Sequence, residues 1–104
     1  MTTVEWLDGE HFQVLDVPSR VRWSDEPGVY LFVKLANGRY HALYVGQTVS
    51  LAARLPGHER WLAAARAGAT QVHAKVVQLG TTRNRLEQLL IQRWNPPLNQ
   101  QHNP

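Results

Sequence analysis

The 104-residue chain contains no cysteine. That single absence excludes disulfides, thiolate zinc sites and cysteine nucleophiles, and it fits a reducing compartment. Aspartate is missing after Asp25. The larger part of the chain therefore cannot gather the several carboxylates that a two-metal nuclease or polymerase site requires. No run approaches the ~20 apolar residues that span a membrane. The opening MTTVEWLDGEHF lacks both a basic start and an apolar stretch. A secretory signal is not expected, and cytoplasm is the expected location. No repeat or low-complexity tract, G-x-S-x-G elbow or glycine-rich phosphate loop occurs. The five histidines (His11, His41, His58, His73 and His102) show no zinc-ligand spacing.

What is present fits one domain with a modest core. The net charge of +3 hides a division. Residues 1–26 carry six acids (Glu5, Asp8, Glu10, Asp16, Asp25, Glu26) against two arginines, a net of −4. Residues 27–104 carry nine bases against two acids, Glu59 and Glu87, a net of +7. Such an excess favours polyanionic partners, because basic side chains gain from releasing counterions condensed on a phosphate chain. A solvated basic surface is the bland alternative.

Residues 1–26 read as an N-terminal elaboration with one or two short strands, in FQVLDV and RVRW, separated by Pro18-Ser19. GVYLFVKL, Gly28–Leu35, is rich in β-branched and aromatic residues and stops at Asn37-Gly38, a strong hairpin signal. YHALYVG, Tyr40–Gly46, is the return strand. Ser50 can cap a short helix over Leu51–Leu55, which Pro56-Gly57 ends. ERWLAAARAG reads as a second helix, QVHAKVVQL (Gln71–Leu79) as a third strand. A last helix starts at Thr81 or Thr82, with Leu86, Leu89, Leu90 and Trp94 as its apolar stripe. NPPLNQQHNP cannot continue it and is expected to be extended. The expected class is α+β: a three-stranded, largely antiparallel sheet flanked by helices, with an N-terminal β elaboration.

Five residues stand out chemically. Glu87 lies beside the apolar stripe of the last helix, where a carboxylate needs a partner. That partner is either Arg83, one turn earlier, or a hard divalent cation. Tyr30 and Tyr44 sit on the paired strands; they are packing residues, or a phenol acting as base or oriented donor near cations. Arg54 is the lone charge in SLAARL, either solvated or a ligand for a phosphate. His58 follows four residues later, beyond a proline that breaks helical geometry.

GVY at 28–30 and YVG at 44–46, on adjacent strands, resemble the two signatures of the GIY-YIG nuclease family. The resemblance extends to an arginine ten residues after the second tyrosine, a glutamate on the last helix and Asn99 in NPPLN. It covers residues 27–100, leaving 1–26 as an acidic elaboration and 101–104 as a short polar tail. It implies a metal-dependent endonuclease that hydrolyses DNA phosphodiester bonds with one divalent cation, Mg²⁺ or Mn²⁺. By that resemblance Tyr30 would be the general base for water and Tyr44 would assist. Arg54 would hold the phosphate and Glu87 would bind the metal. Asn99 would pin the tail against the site, Gly46 would let the backbone pass closely, and His58 would help take the proton from Tyr30. Gln47, beside Gly46, is a candidate substrate contact; the excision-repair branch often has lysine there.

A non-catalytic nucleic-acid-binding module on the same fold is the alternative. A third reading is a protein-interaction domain whose acidic segment covers the basic face. One such site cuts one strand, so cleavage of both calls for a homodimer or two visits.

Overall fold

The computed structural model describes residues 2–17 and 21–99. The Pro18-Ser19 break, the 101–104 tail and His102 lie outside the described residues. The elements in chain order are β1 (Thr3–Leu7), β2 (Glu10–Leu15), β3 (Gly28–Ala36), β4 (Arg39–Thr48), α1 (Leu51–Arg54), α2 (Trp61–Arg66), β5 (Ala69–Val76) and α3 (Gly80–Trp94). A 3-10 turn, Pro97–Asn99, closes the series.

The β3–β4 hairpin forms where the sequence places it. Asn37 and Gly38 both take positive φ, 55° and 73°, and pairing runs from Ala36↔Arg39 to Gly28↔Thr48. The following order of two helices, a strand and a helix is also as expected, with shifted ends. The sheet is not three-stranded. It has five strands in the order β1-β2-β5-β3-β4, all antiparallel. In a three-stranded sheet β5 would offer a row of unpaired backbone groups. Here Gln13, Val14 and Leu15 of β2 pair with Ala74, His73 and Val72. The missed signal was Asp8-Gly9, a hairpin dipeptide in which Gly9 has φ 79°.

RVRW is not a strand in its described part, residues 21–23. The residues just after it satisfy the first backbone donors of α1: Leu51 N–H bonds Glu26 O and Ala52 N–H bonds Ser24 O. Ser50 adds the side-chain cap, accepting from Ala53 N–H at 3.1 Å.

Helices cover both faces of the sheet, which explains why β3 is buried from Gly28 to Val33. On one face Val29, Leu31, Val33 and Val45 pack with Trp6, Phe12 and the α3 residues Leu86 and Leu90. On the other, Tyr30, Phe32 and Leu43 pack with Leu51, Leu55 and Ala64 of the α1–α2 side. The stripe on α3 is narrower than the spacing predicts. Leu89 is exposed, and Trp94 lies edge-on to Trp6 at 5.3 Å and donates to Trp6 O. Asn95 in the left-handed region ends the helix.

Candidate active site

Tyr30 lies directly opposite Gly46 across the hairpin, and Phe32 opposite Tyr44. Cross-strand partners share a face, so both tyrosines look toward α1 and α2. A bulge after Phe32 leaves Leu43 without a partner and keeps this register. Gly46 makes room for the Tyr30 ring rather than for a passing backbone. A Cβ there would lie 2.5 Å from both Cζ and Oη of Tyr30.

His58 closes the group from the turn between the helices. Its ring centroid is 5.6 Å from that of Tyr30, 5.4 Å from Tyr44 and 4.9 Å from Phe32. Nε2 lies 2.8 Å from Tyr30 Oη. Nδ1 accepts the backbone N–H of Arg60 at 3.0 Å. A neutral ring that accepts at Nδ1 carries its proton on Nε2. His58 therefore donates to the Tyr30 oxygen. Burial, with Arg54 and Arg60 adding positive charge, pushes its pKa down to about 4, so the ring is neutral at pH 7.

Arg54, at the end of α1, forms a two-pronged ion pair with Glu59, both N–O distances being 2.8 Å. That hydrogen bonding holds the Glu59 carboxyl down at about 2 and raises the guanidinium. The phenols of Tyr30 and Tyr44 are pushed up, chiefly by burial. Arg54 opposes that rise on both, while Glu59 and Glu87 add to it, so the two acids of the basic region both reach the tyrosine pair.

Glu87 does not pair with Arg83. The Arg83 side chain turns the other way, Nε donating to Gln47 Oε1 at 2.8 Å and NH1 to the carbonyls of Val77 and Gln78. Gln47 is held on α3 by this bond and by its own donation to Asn84 Oδ1 at 2.8 Å. Glu87 is left half-buried, with no hydrogen bond or ion pair to its side chain among the described residues. Loss of solvent raises its carboxyl pKa. Asn99 grips the outer edge of β4 between Tyr44 and Gly46: its Oδ1 accepts Val45 N–H at 2.7 Å and its Nδ2 donates to Val45 O at 2.8 Å.

Sequence reasoning missed Glu59, Arg60 and Phe32 as parts of this cluster. The available signal was the Pro56-Gly57 turn. Gly57 at φ 72° turns the chain so that His58 N–H bonds Leu55 O and the Glu59 carboxylate meets Arg54, with Arg60 N–H on the His58 ring. A divalent cation fits the donor set. Glu87 offers a hard, partnerless oxygen ligand, and among the described residues no three His, Asp or Glu side chains converge. Water and a substrate phosphate would complete the shell.

Tyrosines on paired strands, two short helices, a third strand and a closing helix together make the fold of a GIY-YIG nuclease domain. The solved structures similar to it are of the GIY-YIG N-terminal endonuclease domain of UvrC from Thermotoga maritima. One, a tyrosine-to-phenylalanine point mutant bound to its catalytic divalent cation, is 27% identical with a TM-score of 0.61; the match covers 76% of this chain and 88% of that one. The same domain bound to magnesium is 28% identical with a TM-score of 0.59, covering 72% and 84%. No protein-family model matches the chain, nor does any curated protein. No described helix is long and apolar enough to cross a membrane.

Proposed function

We propose that this protein is a divalent-metal-dependent endonuclease that hydrolyses DNA phosphodiester bonds. The observation that carries the reading is one constellation. The Tyr30 phenol is held by the His58 imidazole N–H, and its ionisation is favoured by the Arg54 charge and opposed by that of the partnerless Glu87. The magnesium bound by the similar endonuclease domain supports it.

Tyr30, as phenolate, takes a proton from water as the oxygen attacks phosphorus and the scissile P–O bond breaks. Burial opposes the phenolate; Arg54 and the His58 Nε2–H favour it. Tyr44 orients the water from the diagonal position. Arg54 binds the non-bridging phosphate oxygens, where its planar fork suits two acceptors. Glu87 would hold Mg²⁺ or Mn²⁺, which when bound would stabilise negative charge developing in the displacement at phosphorus. Asn99 fixes the β4 edge beneath these groups. Residues 27–100 carry the chemistry; β1 and β2 extend the sheet.

The test is nicking of supercoiled plasmid in Mg²⁺ or Mn²⁺, beside EDTA and Glu87→Ala controls. Nicking by wild type alone supports the proposal. Equal nicking by both proteins contradicts it. Salt-sensitive DNA binding without nicking would leave the binding module as the better account.

A further inference from the structure

The Arg54 fork is already filled. Both of its terminal nitrogens lie 2.8 Å from the Glu59 carboxylate oxygens. The arrangement is the planar two-acceptor geometry that guanidinium makes equally with a carboxylate or a phosphate. Only two acids occur after residue 26, and one of them occupies this cation. Because the Pro56-Gly57 turn folds Glu59 back onto α1, the pair is a local one, five residues apart.

We propose that Glu59 is a positioning residue that holds the Arg54 fork in place and yields it to a backbone phosphate of the substrate. This rests on the phosphate-binding role of Arg54 proposed above. The fork cannot give both nitrogens to two anions at once, so binding exchanges one partner for the other. Glu59 is the partner able to leave. Its side chain is 67% exposed, whereas that of Arg54 is 35% exposed. A released carboxylate regains water at little cost.

The magnitude decides between a brake and a block. An exposed pair shifts an equilibrium by only about 2- to 5-fold, small beside the gain of several phosphate contacts. Glu59 therefore attenuates binding. It also disfavours anions that cannot present two oxygens in the plane of the fork.

The experiment is fluorescence anisotropy of a labelled DNA duplex in EDTA at fixed salt. The proteins are wild type, Glu59→Gln, Arg54→Gln and the double variant. Asp16→Asn, an exposed acid removed elsewhere, controls for charge. Glu59→Gln is expected to tighten Kd by about 2- to 5-fold beyond Asp16→Asn. In the Arg54→Gln background that gain disappears. With Mg²⁺ added, it falls on KM and does not raise kcat. Tightening no greater than that of Asp16→Asn, or weaker binding, overturns the exchange. If Arg54→Gln alone leaves Kd unchanged, the fault lies in the phosphate role of Arg54, and the proposal falls with it.

Discussion

Tyr30 Oη receives a hydrogen bond from His58 Nε2 at 2.8 Å, and the direction of that bond is set from behind by Arg60. The Arg60 N–H occupies Nδ1 and leaves the ring's one proton facing the phenol. That bond would favour the phenolate form of Tyr30 in the proposed reaction.

The pH profile of cleavage tests that direction. Burial raises the Tyr30 pKa, so the rate should climb about tenfold per pH unit on the alkaline side while the phenolate is the minor form. His58→Leu removes a donor to the anion and raises that pKa further. The expected loss is about 10- to 100-fold at pH 8. His58→Gln, which keeps an amide donor, should recover part of it. A profile governed by a group near 4, the His58 pKa, would instead make His58 the proton acceptor.

The Tyr30–Gly46 pair gives a second prediction. Gly46→Ala places a methyl 2.5 Å from Tyr30 Oη and Cζ, at an expected cost of about 1–3 kcal/mol in urea unfolding. In a Tyr30→Ala background the same change should cost almost nothing. Equal costs in both backgrounds would separate the glycine from the ring. Tyr30→Phe keeps the packing and should lose cleavage about 100-fold or more.

Stability should fall on acidification. His73 is fully buried; it accepts Trp6 Nε1–H on Nδ1 at 2.9 Å and pairs through Nε2 with Gln71. Burial lowers its pKa from 6.5 to about 4. Between those values the unfolded chain binds the proton and the folded one does not. The contribution is intact above pH 6.5 and disappears as pH falls to about 4, at up to roughly 3 kcal/mol. His58 acts in the same direction. Urea titrations at pH 7, 5 and 4 check this, and His73→Gln should flatten the trend. An unchanged trend in that variant would assign the effect elsewhere.

Asn99→Ala removes both bonds to Val45, leaving the middle of the β4 edge without its partner. An expected loss of about 1–3 kcal/mol follows, read by the same unfolding titration. No loss would mean that water replaces the amide.

Much of this was legible in the sequence because it depends on local chemistry. Asn37-Gly38 announces the hairpin, and one-residue alternation sends Val29 and Leu31 one way and Tyr30 and Phe32 the other. FQVLDV was legible as a strand and became β2, but β1 was not, because the apolar residues of TVEWL, Val4 and Trp6, find their partners only in the folded sheet. The Arg83–Glu87 spacing offered an ion pair that does not form. Helical spacing says which residues can meet, but the carbonyls of Val77 and Gln78 and the amide of Gln47 come from elsewhere in the chain. The Glu59–Arg54 pair was hidden for a simpler reason: its geometry depends on a turn.

In the proposed mechanism one carboxylate, Glu87, holds one divalent ion. Titrating the protein with Mn²⁺ and reading the free ion by electron paramagnetic resonance tests it without any cleavage assay. One bound ion per wild-type chain is expected, and its loss at the same concentrations in Glu87→Gln. Equal binding by the two proteins would contradict it.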